Sequence, residues 1–369
     1  MSFRIPLSAP DITQAEIDAV TAVLCTPHLS LGPQLAAFES ALAEYHGLPH
    51  VVAVSSGTAG LHIALLTLGI GPGDEVIVPS FAFIAVANAV LQVGAAPVFA
   101  DIDAVTLNLD PASVAGAITP LTRAIIVVHT FGVPAQMDQL RALAQKHNLV
   151  ILEDACEAIG ATFQHSLAGT LGDLSVFGFY PNKQMTTGEG GAVLARSAQH
   201  AARLRSLRNQ GRAGSEWLNH TEPGYNYRLS ELACALGCAQ LGRLNEMLAV
   251  RQAAAERYLS LLAHIPTLEL PPAQLPERTI SWFVFVVRLP DEAARDRAQS
   301  ELAARGIATG RYFAPIHLQP AFRNRHHQRV SLPNTESISL RTLALPLFNR
   351  ITKQQQIEIA NTLAEIQKP

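Results

Sequence analysis

Short, continuously apolar runs alternate with segments of helical periodicity through the first two-thirds of the chain, and this alternation most constrains the fold. Such runs indicate strands buried on both faces, as in the parallel sheets of α/β proteins. We therefore predict an α/β fold with a mostly parallel sheet covered by helices. The predicted strands cover residues 51–56, 75–78, 97–100, 124–129 and 149–153, and the predicted helices 58–68, 83–93 and 136–148.

The pattern changes after Leu229, where longer helical segments replace the alternation. Ser230 is placed to cap the first of them, with Glu231 in its first turn. A length of 369 residues also favours two domains. We predict a large domain over residues 1–245 and a smaller C-terminal α+β domain over 246–369. Helices are predicted at 230–247, 251–264, 292–305 and 353–367, with a strand at 282–289.

The composition argues against several classes of function. Hydrophobic residues form 49% of the chain and charged residues 15%, which is typical of a globular protein with a substantial core. The net charge of −3 gives no general attraction for nucleic acid or an anionic membrane. Residues 76–100 carry no charge, but Pro79, Asn88 and Gly94 interrupt them, which indicates strand, helix and strand instead of a membrane span. No signal peptide is visible in the first ten residues, so we expect a cytoplasmic protein.

The four cysteines give little sign of a metal site, because no CxxC pair occurs. Cys234 and Cys238 lie four residues apart and would share one helical face, which is compatible with half of a metal site. Buried free cysteines in a reducing cytosol explain the same spacing more simply. We predict no metal.

Loops after the predicted strands should carry the chemistry, since ligands of open parallel sheets bind at the carboxyl ends of strands. After the first strand, Gly57 permits close backbone approach and Thr58 adds a hydroxyl at a helix start, where free N–H groups bind phosphate. After strand 149–153, Asp154 should point into the same crevice. Both positions also fit a simpler interpretation, because Ser, Thr and Asp commonly cap helices.

A third segment, residues 177–191, places Lys183 among aromatic, small and polar neighbours, with glycines just after it. Burial favours the neutral amine of a lysine, which is nucleophilic and forms a Schiff base with a carbonyl cofactor. A lysine in a loop is ordinarily a solvated charge, but these surroundings argue against that interpretation. In enzymes that use pyridoxal 5'-phosphate (PLP), a carboxylate such as Asp154 would keep the pyridine nitrogen protonated.

The order and spacing of these segments resemble the DegT/DnrJ/EryC1/StrS family of PLP-dependent sugar aminotransferases. The resemblance covers nearly the whole chain and implies PLP fold type I, with a seven-stranded, mostly parallel sheet in the large domain. Each matching segment is modest by itself, whereas the set is highly specific. The segments are residues 30–33, 55–59, 73–80, 153–155, 180–183, 186–191, 224–228 and 317–320.

The resemblance implies a role for each matching residue around the cofactor. Lys183 would form the Schiff base and then move a proton between the substrate carbon and the cofactor. Asp154 would pair with the pyridine nitrogen. Thr58 and Ala59, with the backbone at Gly57, would hold the phosphate.

Three further residues are implied around the ring and across a subunit interface. Phe83 would stack on the cofactor ring, although an ordinary core phenylalanine fits the sequence as well. Glu157 falls where many relatives have His or Gln near the cofactor hydroxyl. Asn226 would reach the phosphate of a neighbouring subunit, which makes the active site a property of a homodimer. Gly178 replaces a serine that binds the phosphate in many relatives, and we expect slightly weaker PLP retention.

Several polar residues keep two interpretations. Tyr312 and His317 either line a sugar site or serve the structure, and His129 either orients a neighbour or is a buried residue with its own partner. Two basic groups either meet a nucleotide diphosphate or form a solvated surface. They comprise Arg203, Arg205, Arg208 and Arg212 in one, and Arg323, Arg325, His326, His327 and Arg329 in the other.

By resemblance, the chain should transfer an amino group from an amino acid, L-glutamate being expected, to a nucleotide-linked keto-deoxysugar for cell-surface polysaccharide or another glycan. A first alternative is a different PLP reaction such as sugar dehydration, but the relatives that catalyse it have histidine in place of Lys183. A second alternative is a non-catalytic regulatory protein, which the intact set of Thr58, Asp154 and Lys183 disfavours.

Overall fold

A seven-stranded sheet forms the centre of the computed structural model, which describes residues 3–212, 214, 218–323 and 330–366. Its strand order is β1-β9-β8-β5-β4-β2-β3, and every neighbouring pair is parallel except those of β9, which runs antiparallel to β1 and β8. The prediction of a mostly parallel, seven-stranded sheet is confirmed. The strands are β1 (His50–Val54), β2 (Glu75–Pro79), β3 (Ala96–Ala100), β4 (Thr122–Val128), β5 (Val150–Asp154), β6 (Thr162–Phe163), β7 (Ser166–Leu167), β8 (Leu174–Gly178), β9 (Gly191–Ala195), β10 (Arg278–Thr279), β11 (Phe285–Arg288) and β12 (Thr342–Leu345).

Helices cover both faces of this sheet, because successive strand residues point to opposite sides. The helices are α1 (Gln14–Leu24), α2 (Pro33–His46), α3 (Gly57–Thr67), α4 (Ala85–Gln92), α5 (Pro111–Ala117), α6 (Met137–His147), α7 (Ala198–Arg208), α8 (Glu231–Gly242), α9 (Leu244–Leu262), α10 (Glu292–Ala304), α11 (Pro333–Arg341) and α12 (Lys353–Ile366). Val76 and Ile126 pack with α3 and α4 on one face of the sheet, whereas Ile77 and Ile125 pack with α5 and α6 on the other.

A second core lies towards the C-terminus, around the antiparallel pair β11–β12 and helices α10 and α12. Ile5 also belongs to it, through a parallel bridge to Ile307. Helix α9 links the two cores, since Met247 packs in the first and Tyr258 in the second. The division at residues 245 and 246 stays a prediction.

The predicted helix over 230–247 is wrong in its extent. Helix α8 ends at Gly242, and α9 begins at Leu244 and continues through the gap that the sequence suggested before Arg251. Arg243 separates them with φ −107° and ψ 3°, and its guanidinium contacts Asp11 and Glu16. The apolar periodicity continues across Arg243, so the sequence pattern gave no sign of the break.

Residues 76–100 form the end of β2, helix α4 and strand β3, as the sequence analysis predicted. Across the described ranges, no helix combines the length and apolar character needed to cross a membrane. Cys234 and Cys238 lie on α8, and no group of three or more His, Cys, Asp or Glu side chains suited to a metal ion occurs in the described residues.

Candidate active site

A cavity of about 540 Å³ opens at the carboxyl ends of β5 and β8, beside the N-terminus of α3. Parallel strands end at the same edge of a sheet, which brings the loops that follow them together. Six of the eight predicted site residues line this cavity, and Ala59 and Asn226 do not. The six are Gly57, Thr58, Phe83, Asp154, Glu157 and Lys183.

The N-terminus of α3 forms one end of the cavity. Ser56 caps the helix, its Oγ accepting the backbone N–H of Ala59 at 3.1 Å. This bond engages the Ala59 N–H that was predicted to hold phosphate. The first N–H groups of a helix have no partner within it, so those of Gly57 and Thr58 face an anion most directly.

Two glycines and a thiol form the wall beside this helix end. A Cβ atom at Gly57 would lie 2.9 Å from Cys156 Sγ, and one at Gly178 would lie 3.1 Å from the same sulfur. Burial and the charge of Asp154 raise the pKa of the Cys156 thiol well above its ordinary value, so it stays protonated. The wall is therefore neutral and lets backbone approach closely, which suits a phosphate group.

Asp154 is the last residue of β5 and lines the cavity. Its Oδ1 accepts the N–H of Cys156 at 3.1 Å, and its backbone oxygen accepts the N–H of His129 at 3.1 Å. These bonds fix both the side chain and the backbone of the residue, which holds its carboxyl group at the edge of the cavity.

Lys183 lies in the loop after β8, where its N–H donates to Tyr180 O at 2.9 Å. Its Nζ is 3.5 Å from Glu157 Oε1 and 3.9 Å from the centroid of the Phe283 ring. The side chain is only 15% exposed, so the solvated-lysine interpretation does not fit. A carboxylate and an aromatic face thus hold the amine inside the cavity.

Glu157 faces the lysine from the loop after β5. Its Oε2 accepts the N–H of Phe131 at 2.9 Å. Burial raises the pKa of Glu157, and the charge of Asp154 raises it too, while Lys183 and the Phe131 N–H oppose the rise. The carboxyl group is therefore close to the lysine yet poorly solvated.

Phe83 lines the cavity with 64% of its surface exposed. The interpretation of Phe83 as an ordinary core residue is therefore wrong. An exposed aromatic ring at a cavity wall offers a flat apolar face, as stacking on a cofactor ring requires.

Asn226 is exposed, pairs with Asn209 through an antiparallel bridge and is not among the residues that line the cavity of its own chain. Its neighbour Tyr227 connects the segment to the sheet edge, since Tyr227 O accepts the N–H of Ser55 at 2.8 Å. This position is compatible with a role at a neighbouring subunit, and that role stays a prediction.

The first basic group is largely engaged within the fold. Arg208 is buried and binds Glu39 and the backbone oxygen of Ala53, and Arg205 lies 3.7 Å from Glu39. Arg203 pairs with Glu222 at 3.4 Å. The backbone of Arg212 forms an antiparallel β-bridge with that of His220. In the second group, Arg323 is exposed, and Arg325, His326, His327 and Arg329 lie outside the described residues.

Tyr312, His317 and His129, which each had two interpretations, occupy different surroundings in the structure. Tyr312 lines the cavity, where burial and the charge of Glu157 raise its pKa. His317 lies outside the cavity lining and binds Ser80 Oγ through Nδ1 at 2.6 Å. His129 is fully buried and binds Glu153 at 2.8 Å, so the interpretation as a buried residue with a partner is confirmed.

Phe283 and Phe313 also line the cavity, and the sequence analysis did not identify either of them. Phe283 precedes β11 and lies 100 residues after Lys183, whose amine it contacts. The glycine and lysine segments are recognisable locally, whereas a phenylalanine beside an apolar strand has no local mark that distinguishes it from a core residue.

Comparisons with known proteins match this geometry. Residues 10–364 match the DegT/DnrJ/EryC1/StrS aminotransferase family. The chain is 39% identical over 354 residues to GDP-perosamine synthase from Caulobacter vibrioides, with 95% of each chain aligned. The structure of S. venezuelae DesV in complex with a ketimine intermediate superimposes with a TM-score of 0.93 at 38% identity, over 100% of both chains. Spr1654 from Streptococcus pneumoniae in its PMP form gives a TM-score of 0.94 at 28% identity, over 98% and 97% of the two chains.

The donor set fits PLP on this structure alone. The helix N-terminus and the two glycines suit the phosphate, Asp154 suits the pyridine nitrogen, and Lys183 presents a primary amine between them. Family membership and the cavity thus agree on the cofactor and on the class of reaction. The chain belongs to the DegT/DnrJ/EryC1/StrS aminotransferase family and is a PLP-dependent aminotransferase.

Proposed function

We propose that this enzyme transfers an amino group from L-glutamate to the keto group of a nucleotide-linked deoxysugar. The balance is one 2-oxo acid and one amino sugar formed from one amino acid and one keto sugar. The observation that carries the proposal is the meeting of Lys183, Asp154 and the N-terminus of α3 in one cavity. The likeness to GDP-perosamine synthase supports a nucleotide sugar as the acceptor.

Each residue around the cavity receives a role from its position. The N–H groups of Gly57 and Thr58 hold the phosphate, with Ala59 in the same turn, and the exposed ring of Phe83 stacks on the cofactor. Asp154 keeps the pyridine nitrogen protonated. When bound, PLP serves as an electron sink that stabilises negative charge at the carbon bearing the amino group.

Lys183 performs the proton transfer in this scheme. Its amine would hold the cofactor when it is bound, and the same amine would move a proton at the reacting carbon of the substrate. The ring of Phe283 covers the amine on one side, and Tyr312 lines the same cavity.

The active site would be completed by a second copy of the chain. Asn226 is exposed on the segment that adjoins β1, close to where α3 begins. We propose a homodimer in which Asn226 contacts the phosphate bound by its partner. Light scattering measures the oligomeric state. The PLP affinity of Asn226→Ala, compared with that of wild type, tests the contact with the phosphate.

Lys183 favours transamination over dehydration. A lysine can return the proton to the cofactor-linked carbon during amination of the sugar, and the dehydrating relatives lack it. A dehydratase would release ammonia, whereas an aminotransferase accumulates 2-oxo acid in step with amino sugar. The role in polysaccharide or other glycan synthesis stays a prediction from the family resemblance.

An absorbance spectrum of the purified protein with PLP, before and after adding L-glutamate, tests the proposal first. Wild type should show a visible band that glutamate bleaches, and Lys183→Ala should fail to form that band normally. A wild type without the band would overturn the assignment of Lys183. A band that glutamate leaves unchanged would overturn glutamate as the donor.

A further inference from the structure

Arg251 on α9 is a buried arginine whose hydrogen bonds go to neutral oxygen atoms. Its Nε donates to Trp282 O at 3.0 Å, its Nη2 to Phe283 O at 2.8 Å and its Nη1 to Asn349 Oδ1 at 2.9 Å. No carboxylate in the described part of the chain pairs with it, and burial lowers its pKa to about 10. Because burying an unpaired cation costs free energy, the bonds to these oxygens explain why an arginine stands here.

The two carbonyl oxygens belong to a turn just before β11. Trp282 has φ +48°, in the left-handed region that L-residues adopt at a cost. Its indole Nε1–H donates to Gln252 Oε1 at 2.7 Å, so consecutive residues of α9 hold both its main chain and its side chain. Phe283 lies outside the ladder that pairs β11 with β12. The position of this turn therefore depends on α9.

The same turn is bonded on its other side to the loop that carries Lys183. Ser281 Oγ accepts a hydrogen bond from Gln184 Nε2 at 2.9 Å, and the N–H of Ser281 donates to Gly132 O at 3.1 Å. Gln184 directly follows Lys183 in the chain. Residues 281–283 thus connect α9 to the lysine loop.

The turn sends two aromatic rings into different surroundings. The Trp282 ring packs in the C-terminal core, 5.8 Å from the ring of Phe285. The Phe283 ring lines the active-site cavity, with its centroid 3.9 Å from Lys183 Nζ and 6.5 Å from the ring of Tyr312. A displacement of the turn would therefore move the aromatic ring that contacts the lysine amine.

We propose that Arg251 is a positioning residue for Lys183, because its hold on the carbonyl oxygens of Trp282 and Phe283 fixes the Phe283 ring beside the lysine amine. Arg251 is not among the residues that line the cavity, so it acts through Phe283. A lysine that moves a proton has to occupy the same place in each reaction cycle, and a misplacement of about 1 Å can cost roughly a hundredfold in rate. This inference rests on the proposed role of Lys183 in proton transfer and is independent of the identity of the sugar.

The first test measures how firmly the apoenzyme holds the turn. Trp217→Phe leaves Trp282 as the only tryptophan, so quenching of its fluorescence by acrylamide reports on this turn. Arg251→Met, which removes the three donors but keeps an unbranched side chain, should increase quenching. Arg257→Met is the matched control, because Arg257 lies on the same helix but binds Gln356, and it should leave quenching unchanged.

Thermal unfolding of each apoenzyme verifies that the variants are folded. Arg251→Lys keeps a buried cation with a donor and should give quenching between those of wild type and Arg251→Met. It provides the same comparison with wild type if Arg251→Met does not fold. Unchanged quenching in the folded Arg251 variants would overturn the inference.

The second test is a double-mutant cycle with Phe283→Leu in the PLP-bound protein. Arg251→Met alone should slow the bleaching of the visible band by L-glutamate by roughly tenfold or more. In the Phe283→Leu background the same change should have little further effect, because the ring that Arg251 positions is gone. The visible circular dichroism of the bound cofactor should show the same non-additivity without any amino donor.

The outcomes separate this inference from the proposed function. Independent effects of Arg251→Met and Phe283→Leu on both signals would make Arg251 a structural residue and overturn the inference, while Lys183 and glutamate keep their roles. If glutamate fails to bleach the wild-type band, glutamate is overturned as the donor, and the circular dichroism cycle still decides the role of Arg251. If wild type forms no visible band, Lys183 is not the attachment site and the inference is overturned with it.

Discussion

Glu153 and Glu157 lie four residues apart and both are buried, yet the pKa values of their carboxyl groups shift in opposite directions. Burial alone would raise the pKa of each. For Glu153 the hydrogen bonds from His129 and from backbone N–H groups outweigh burial and lower its pKa, whereas for Glu157 burial prevails. The comparison indicates that the number of hydrogen-bond donors around a buried carboxyl group decides whether its pKa falls or rises.

The donors of Glu153 come from one loop and one strand end. The N–H groups of Gly169, Leu171 and Gly172 donate at 2.5–2.8 Å, and His129 Nε2–H donates at 2.8 Å, because its Nδ1 already accepts the Ala135 N–H. This network ties the loop before β8 to β4 and β5. Glu153 therefore supports the sheet edge from which Asp154 and Glu157 project.

The largest expected effect is from removing Glu153. Glu153→Ala leaves four donors without an acceptor, two of them in buried and two in part-buried hydrogen bonds. It should lower the free energy of unfolding by about 3–5 kcal/mol, as for other broken buried pairs. Chemical unfolding of the apoenzyme at fixed protein concentration measures it. A loss below about 1 kcal/mol would mean that the loop over residues 169–172 is stabilised without this carboxylate.

The pH dependence of stability gives the second prediction. A lowered folded-state pKa contributes stability that is present above the unfolded value near 4.5 and is lost as pH falls through the folded value. Glu153→Gln should therefore be less stable than wild type by about 1–3 kcal/mol at pH 7. The difference should shrink below pH 4. Unfolding curves at pH 3.5, 5 and 7 test this, and a constant difference would show that the charge of Glu153 is unimportant.

The sequence predicted only part of the structure that surrounds Glu153 and Glu157. The run before Asp154 identified β5 and its carboxyl end, and the glycines around Lys183 marked the functional loop. The sequence analysis did not assign the strands β8 and β9 or the helices α1, α2 and α7. The hydrogen bonds of Glu153 and Glu157 depend on tertiary contacts with Gly169 and Phe131, which the periodicity of the sequence does not reveal.

Gly178 shows the same limit at the phosphate end. From the sequence, Gly178 is expected to lack a serine hydroxyl that binds phosphate. The structure adds a steric constraint, because a Cβ at position 178 would lie 3.1 Å from the Sγ of Cys156, 22 residues away. The two positions meet because β5 and β8 are neighbours in the sheet. A smaller residue 178 and a larger residue 156 therefore belong together sterically.

This coupling changes how the expected effect of Gly178 on PLP retention is tested. Gly178→Ser alone adds a hydroxyl donor but crowds Cys156, so the two effects oppose each other. Cys156→Ala combined with Gly178→Ser relieves the crowding and should tighten PLP binding by about 1 kcal/mol relative to Cys156→Ala alone. Equilibrium titration of the apoenzymes with PLP completes the double-mutant cycle. An unchanged or weaker dissociation constant in the double variant would contradict the idea that a serine at this position improves retention.

The smallest expected effect is on the stability of Glu157→Gln. A raised folded-state pKa contributes stability that is present below the unfolded value and is lost as pH rises through the folded value, so the ionised carboxylate disfavours folding at neutral pH. The glutamine variant should match wild-type apoenzyme at pH 4 and equal or exceed it by less than about 1 kcal/mol at pH 7. Unfolding at both pH values, beside Glu153→Gln, measures the opposite sign directly. Strong destabilisation by Glu157→Gln at pH 7 would make Glu157 a structural residue like Glu153 and remove the contrast between them.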